Sequence, residues 1–295
     1  MSRAPHLVFE ALCVIWGSTW LGIKIGLEFV PPFLFAGVRF AAATFVLLLL
    51  ARLLHAKMPR ERGTWFLMGF LGIFQLTIPY ALVYWGEQYI SSGLAAVISA
   101  TLTFFVVVFA HFLVDEKLTH IRAVGIVASF AGLIAIFWGD ISSRNIAAHA
   151  SLLGGIAIVV STASNAMATV VAKKYATKVA PSFNVLVQCA ICSICLLAVS
   201  LFVEAGAEVT FNFIAVGTIL YLAVFGSAFA FVGYYWLLTQ TTATNTSILN
   251  FVTPILAVLL GWLVLGEVPD QNMWVGTVLI LTGVYLALRS PGRIL

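Results

Sequence analysis

Charged residues are scarce in this chain of 295 residues, since only 9% are Asp, Glu, Lys or Arg whereas 62% are hydrophobic. Soluble domains carry about 25% charged residues, so this composition excludes an ordinary soluble fold. Cysteine is scarce too, with four residues whose spacing indicates no disulfide framework. The net charge of +4 is small, and the basic residues lie in short loops, so nucleic acid is not an expected partner. The composition is instead that of a chain buried in a lipid bilayer.

Apolar runs of about 20 residues recur along the whole sequence, and each is long enough to cross a bilayer as a helix. Prolines or short charged clusters separate these runs, as expected at helix ends. Ten runs can be counted: 7–27, 33–54, 65–86, 91–113, 121–138, 151–172, 183–203, 212–238, 245–265 and 273–288. We therefore predict an all-α membrane protein with ten transmembrane helices.

The second half of the chain repeats the first. Residues 93–135 and 244–286 share the same order of an apolar run, a Glu and two glycines. The features that recur 151 residues apart are Glu116 and Glu267, Gly125 and Gly276, Gly132 and Gly283, and the pairs Tyr84-Trp85 and Tyr235-Trp236. We predict two five-helix repeats, 1–139 and 150–289. Because five is odd, the second repeat enters the membrane from the opposite side, and such inverted folds hold a substrate near the midplane, between the repeats.

Basic residues cluster on one predicted side of the membrane. If the N-terminus is cytoplasmic, the cytoplasmic side receives Arg3, Arg52, Lys57, Arg60, Arg62, Lys117, Arg122, Lys173, Lys174, Lys178, Arg289 and Arg293. The opposite loops contain Arg144 and are otherwise acidic or neutral. This bias predicts that both termini lie in the cytoplasm.

The opening of the chain carries a family motif. Ile15-Trp16-Gly17-Ser18-Thr19-Trp20 is followed by Lys24, Pro32 and Arg39. Together with the doubled Glu-Gly-Gly endings and the ten spans, this order resembles the EamA family of the drug/metabolite transporter superfamily. The resemblance implies two inverted five-helix repeats, alternating access and movement of small metabolites. The chain is most similar to bacterial inner-membrane exporters of aromatic and neutral amino acids of the YddG type, which implies amino acid export.

Polar and aromatic side chains inside the spans are the candidates for substrate binding, because polar groups are costly in hydrocarbon and usually face a cavity. Sites for small ligands are mostly apolar and aromatic with a few polar groups. The candidates are Trp16 and Trp20 in the first helix, Thr77, Tyr80 and Tyr84 in the third, Asn165 in the sixth, Tyr234 in the eighth, and Asn250 and Thr253 in the ninth. By contrast, Trp85 and Trp236 lie at helix ends, where an interfacial anchor is the simpler interpretation.

Three charged residues within the spans are candidates for gating or charge compensation. Lys24 and Arg39 lie in helices close to the outer face. They either snorkel to the outer headgroups, form a positive outer vestibule, or pair with Glu28 or Glu87. Glu10 lies about one turn into the first helix, near the cytoplasmic face, where water can solvate it.

The repeated Glu and Gly residues are interpreted as scaffold. Glu116 and Glu267 lie in loops, where we expect them to accept backbone donors at the start of the next helix. Small residues let membrane helices approach closely. We therefore expect the fifth and tenth helices to pack together through Gly125, Gly132, Gly276 and Gly283.

An intramembrane enzyme is the main alternative from another functional class. It is disfavoured because Asp115, Asp140 and Asp270 lie in loops rather than paired within the membrane. Metal motifs of the His-Glu type are absent from the sequence. Three cysteines spaced through 189–195 have no His or acid in their segment, and buried cysteines usually act as small apolar residues. We therefore predict no enzymatic activity, no cofactor and no metal.

Other modes of transport remain open. A channel would usually need an oligomer with a polar or charged ring, whereas two repeats already form a complete unit, so we expect a monomer that contacts lipid and a small-molecule substrate. Small multidrug relatives carry a proton-coupling Glu where this chain has Val14, which favours uncoupled transport. The alternative is a carrier of other small metabolites or drugs with proton coupling.

Overall fold

The computed structural model describes residues 4–53, 55, 59–114, 118–142, 145–175, 181–240 and 249–289, and within them every regular element is a helix. The first half contains α1 (Ala4–Leu27), α2 (Pro32–Leu53), α3 (Arg62–Leu71), α4 (Ile78–Gly86), α5 (Ser92–Ser99), α6 (Leu102–Val114) and α7 (His120–Ser142). The second half contains α8 (Ile146–Tyr175), α9 (Pro181–Val203), α10 (Phe213–Ala223), α11 (Ala230–Gln240), α12 (Leu249–Leu265) and α13 (Gln271–Arg289). The predicted all-α class is confirmed for these residues.

Eight helical stretches are long and apolar enough to cross a membrane, as judged by length and composition within the described residues. They are α1, α2, α3 with α4, α5 with α6, α7, α8, α9, and α10 with α11. Val252–Leu265, in α12, is a shorter apolar helix. The total of ten transmembrane helices therefore remains a prediction, as does the division into repeats at 1–139 and 150–289.

The third helix of each predicted repeat is interrupted by a π-helical segment. One segment, Gly72–Thr77, joins α3 to α4, and the other, Val224–Phe229, joins α10 to α11. They begin 152 residues apart, which is nearly the spacing of the repeat. Such π turns are rare and occur frequently at functional sites. The runs 65–86 and 212–238 predicted continuous helices, because neither contains a proline or a charged cluster at the π segment.

The two halves pack into each other through helix pairs. α2 runs along α9 and α7 runs along α13, while α4 packs on α8 and α1 packs on α12. Each pair joins a helix of the first half to one of the second, so neither half encloses the core alone. The main hydrophobic cluster accordingly includes Phe35, Phe40 and Leu47 from α2, and Cys189, Cys192 and Leu196 from α9.

α7 and α13 touch through their glycines, as the sequence predicts. A Cβ added to Gly132 would lie 2.7 Å from the Gly276 carbonyl oxygen, and one added to Gly276 would lie 2.6 Å from the Gly132 carbonyl oxygen. A Cβ on Gly283 would collide with the Gly125 carbonyl oxygen and with Ser129. Larger residues would force these helices apart, so the predicted packing is confirmed.

Carboxylates from the second half cap helices of the first half. Glu267 accepts the Ser92 N–H at 2.9 Å, the Ser92 hydroxyl at 2.8 Å and the Gly93 N–H at 3.2 Å, at the start of α5. Glu204 accepts two N–H groups at the start of α2, each at 2.8 Å. The expectation that Glu267 caps the next helix along the chain was therefore wrong, because folding brings the start of α5 closer. Glu116 lies outside the described residues.

Candidate functional site

A buried guanidinium lies at the contact between the two halves. Arg39 of α2 is 1% exposed, and its Nη1 donates to the Tyr84 hydroxyl at 2.9 Å. Its Nε donates to the Ser227 hydroxyl at 3.0 Å, and its Nη2 donates to the Gly226 carbonyl at 3.4 Å. The guanidinium carbon also lies 5.0 Å from the centre of the Tyr80 ring, within reach of cation–π attraction. We call these five residues the guanidinium cluster.

The second π segment brings a helix backbone up to this guanidinium. Gly226 and Ser227 both belong to that segment, where the regular α-helical ladder is interrupted. A Cβ on Gly226 would lie 2.8 Å from the Thr19 methyl carbon and 3.3 Å from Nη2 of Arg39. Because Gly226 has no side chain, the π segment can lie directly against Thr19 of α1 and Arg39 of α2.

The position of Arg39 corrects the sequence-based expectation. Snorkelling to headgroups and pairing with an acid were two of the alternatives, but the described partners are two hydroxyls, a carbonyl and aromatic rings. α2 is apolar on nearly every side, and such helices are buried or membrane-spanning. Its sequence therefore does not distinguish the face that meets lipid from the face that meets another helix.

Aromatic rings of α1 and α11 form a second group. The ring centre of Trp16 lies 5.3 Å from that of Tyr234 and 6.0 Å from that of Phe231, which is a favourable spacing for aromatic pairs. Trp20, one turn further along α1, packs against the main hydrophobic cluster, as Tyr80 does. The structure thus joins Trp16 to Tyr234, in a hydrophobic cluster different from that of Tyr80.

A group of buried amides was not predicted from the sequence. The Tyr235 hydroxyl donates to Oε1 of Gln75 at 3.1 Å. Asn184 and Gln188 of α9 are 5% and 2% exposed, and both also approach this hydroxyl. Each amide interrupts an apolar run, and a polar residue inside a membrane span is by itself a signal of a cavity or a specific contact. That signal could have identified them.

The remaining predicted substrate contacts bond mainly within their own helices. Thr77 and Thr253 each donate to a backbone carbonyl of the same helix, at 2.8 Å and 2.7 Å. Asn165 accepts a hydrogen bond from Thr169, one turn further along α8, at 3.2 Å. The side chain of Asn250 lies outside the described residues. The described structure therefore does not bring these residues to Trp16 or to the guanidinium cluster by hydrogen bonds.

The other charged candidates lie toward opposite ends of α1. Glu10 is exposed. Lys24 donates to the backbone carbonyls of Glu87 and Ile90, each at 2.7 Å. These carbonyls lie at or just beyond the carboxyl end of α4, where the helix dipole favours a cation. Backbone oxygens therefore take the place of the headgroups or carboxylates that the sequence suggested for Lys24.

The Arg39 guanidinium and its hydroxyl partners are closed to solvent in this conformation, whereas Tyr80 is half-buried. Tyr84 and Ser227 are both 0% exposed. A groove of about 460 Å³ lies elsewhere, between α7 and α13, and a pocket of about 120 Å³ lies beside Glu267. A ligand could therefore reach the cluster only if the two halves move apart.

Two stretches of the chain, residues 5–138 and 152–289, match the EamA-like transporter family. The chain belongs to this family. Its family and its apolar helices make it a multi-pass membrane protein that contacts the lipid bilayer. The predicted EamA membership is confirmed, whereas the closer likeness to exporters of the YddG type remains a prediction.

Two of three similar proteins are named as transporters. YedA of Escherichia coli (strain K12), an uncharacterized inner membrane transporter by name, is 32% identical over 294 residues, which span 95% of this chain and 92% of YedA. The uncharacterized transporter YoaV of Bacillus subtilis (strain 168) is 27% identical over 280 residues, or 94% of each chain. Protein PagO of Salmonella typhimurium is 26% identical over 283 residues, which span 96% of this chain and 92% of PagO. The names of YedA and YoaV support a membrane transporter and are consistent with a protein that is not an enzyme.

A crystal structure of another protein shares the fold. The two structures match with a TM-score of 0.68 over 97% of both chains, at 16% sequence identity. The architecture is therefore found in a protein whose sequence has diverged widely.

Proposed function

We propose that this protein is a secondary transporter that moves aromatic or neutral amino acids out of the cytoplasm by alternating access. The observation that carries the proposal is the guanidinium cluster, which is buried between the halves and built from both. Arg39, Tyr80 and Tyr84 come from the first half, and Gly226 and Ser227 come from the second. Aromatic walls with few polar groups suit a small organic ligand, and two halves that meet at a site can expose it to either side in turn.

Two neighbouring regions supply the proposed substrate contacts. The rings of Trp16 and Tyr234 suit an aromatic or aliphatic side chain, and Trp20 lies on the same helix as Trp16. The Arg39 guanidinium suits a carboxylate, because its planar fork can donate two parallel hydrogen bonds. In the closed conformation the Tyr84 hydroxyl accepts one of its N–H groups instead. The further proposed contacts are Thr77, Tyr80, Asn165, Asn250 and Thr253.

We further propose a monomer in the bacterial inner membrane, with two inverted five-helix repeats and both termini in the cytoplasm. The name of YedA as an inner membrane transporter supports the location. The predominance of basic residues in the predicted cytoplasmic loops supports the orientation.

Counterflow into liposomes tests the substrate. Vesicles that contain the purified protein and an unlabelled amino acid should take up the same radiolabelled amino acid, if it is aromatic or neutral. Replacing Trp16 or Tyr80 by Ala should slow this exchange about tenfold or more, equivalent to about 1.4 kcal/mol of lost binding. Trp262→Ala is the control, since Trp262 is 53% exposed on α12. Absence of counterflow for every amino acid would contradict the substrate, and a panel of other metabolites and drugs would then test the alternative.

A further inference from the structure

The carboxyl group of Glu87 is buried without a hydrogen-bond partner. Glu87 directly follows α4 and is 0% exposed. In the described part of the chain, neither of its carboxyl oxygens has a hydrogen-bond partner. An ionised carboxylate in such a place loses its hydration without compensation, at a large cost in free energy. The closed conformation therefore favours the protonated, neutral form.

The charged groups that act electrostatically on the Glu87 carboxyl group form their hydrogen bonds with atoms other than its carboxyl oxygens. Lys24 of α1 donates to two backbone carbonyls, one of them that of Glu87. Arg39 of α2 donates within the guanidinium cluster, and Glu267 accepts donors at the start of α5. On α8, His149 is exposed, and its ring nitrogen lies 2.9 Å from a carbonyl oxygen four residues earlier. None of these groups compensates the Glu87 carboxylate by a direct hydrogen bond.

Burial raises the pKa of the Glu87 carboxyl well above its usual range. The Lys24 ammonium lowers this pKa, the Glu267 carboxylate raises it and the Arg39 guanidinium lowers it, but burial has the largest effect. Glu87 follows the membrane-spanning stretch Arg62–Gly86, so it lies at an end of the helix bundle. Opening this end to water would remove the main cause of the raised pKa.

Glu87 also lies where the two halves touch. The preceding Gly86 packs directly on Gly154 of α8, since a Cβ on either would lie 2.7 Å from the carbonyl oxygen of the other. Tyr84, three residues before Glu87, lies on the same helix face and accepts the hydrogen bond from Arg39. Movement of α4 relative to α8 would therefore change the surroundings of Glu87 and shift Tyr84, which belongs to the guanidinium cluster, at the same time.

We propose that Glu87 is a proton-binding site that controls closure of this end of the transporter, which is the outer end in the proposed orientation. On closure, the Glu87 carboxylate takes one proton from the adjoining water and forms an O–H bond. On opening, the proton returns to the same water, so no net proton crosses the membrane. The inference rests on the proposed function, in which closure of this end is one step of alternating access.

The rate of counterflow as a function of pH tests this site, with equal pH on both sides of the vesicle. Between the ordinary pKa of Glu87 in the open conformation and its raised pKa in the closed one, closure and hence the exchange rate should fall about tenfold per pH unit. Glu87→Gln mimics the neutral form and should exchange at a rate that does not fall with pH. Glu28→Gln is the matched control, because Glu28 is exposed in the α1–α2 connection, and it should keep the wild-type profile. A wild-type rate independent of pH, or one that depends on sodium instead, would overturn the proposal.

Thermal unfolding in detergent tests the same site without any substrate. A raised pKa means that the folded state binds the proton more tightly than the unfolded state does. Its contribution to stability is therefore complete below the unfolded pKa and is lost as pH rises through the folded pKa. As the pH rises from about 5 to about 9, the unfolding temperature of the wild type should fall relative to that of Glu87→Gln. It should not fall relative to that of Glu28→Gln, which keeps Glu87. If the difference between the unfolding midpoints of wild type and Glu87→Gln does not change with pH, the proposed role of Glu87 is wrong. If that difference changes with pH but no amino acid shows counterflow, only the proposed substrate is wrong.

Discussion

Arg39 brings a permanent positive charge into the contact between the halves, where the described oxygens that receive its hydrogen bonds are all neutral. These oxygens belong to Tyr84, Gly226 and Ser227. Leaving one donor of a buried group unsatisfied costs about 1–3 kcal/mol, and more for a charged group. Each oxygen therefore stabilises the closed conformation, and the Tyr84 hydroxyl can be removed with the least change of shape.

The Tyr84→Phe substitution should lower stability by about 1–3 kcal/mol, because it removes an acceptor from a buried guanidinium and leaves the ring in place. The measurement is the midpoint of thermal or denaturant unfolding in detergent. Tyr89→Phe is the control, since Tyr89 is 43% exposed. Equal effects of the two substitutions would show that the hydroxyl of Tyr84 does not hold Arg39.

At the residue level, the sequence could select candidates but not their partners. Tyr80 and Tyr84 were selected because polar groups in a membrane span are costly, and both do surround Arg39. Ser227 was not selected, and it lies 188 residues from Arg39 in the chain. A contact of that kind depends on which helices become neighbours, and no local pattern contains that information.

At the element level, Glu267 connects the loop after α12 to the start of α5. The Glu267→Gln substitution should lower stability by about 1–2 kcal/mol, because a neutral amide accepts the N–H groups of a helix start less strongly than a carboxylate does. Unfolding in detergent measures the change. Glu208→Gln, at an exposed position after α9, should leave the midpoint unchanged. If both variants unfold together with the wild type, the cap at α5 contributes nothing.

The glycine contact of α7 with α13 predicts a larger effect. Gly132→Val should destabilise the protein by about 3 kcal/mol or more, because its side chain would overlap the Gly276 carbonyl and push the helices apart. The yield of monodisperse protein in detergent and its unfolding midpoint measure this. Gly139→Ala on the same helix is the control, since its Cβ would meet its nearest neighbour at 3.9 Å. A tolerated Val at 132 would contradict the close packing of these helices.

At the level of helices, the sequence predicted the glycine contact but did not predict the π segment. The spacing of Gly132 and Gly276 predicted helix packing, because small residues matter only where backbones approach closely. The π segment at Gly72–Thr77 was not predicted, since Gln75 and Thr77 within it are polar residues but do not specify an extra residue in the helical turn. Backbone irregularity of this kind depends on neighbouring helices rather than on composition.

For the whole molecule, the proposed orientation makes opposite predictions for two exposed loop residues. Glu28 precedes α2 and Glu61 precedes α3, and both are exposed. In intact cells, Glu28→Cys should react with a membrane-impermeant thiol reagent, whereas Glu61→Cys should react only after the cells are permeabilised. The wild type is the control, because its cysteines lie within helices and three of the four are buried. The reverse pattern of labelling would place the termini outside.

The sequence by itself determined that this chain is an all-helical membrane protein, because composition and apolar run length depend on the solvent that each helix meets. Its motifs indicated a transporter family through their resemblance to that family. It also determined that α7 and α13 would pack through glycine. Only the tertiary structure decided that Arg39 is buried on hydroxyl and carbonyl oxygens, and that Glu87 is buried without a partner. Burial of those two side chains depends on how two distant halves of the chain meet. A helix that is apolar on all sides does not indicate in its sequence which face will contact another helix.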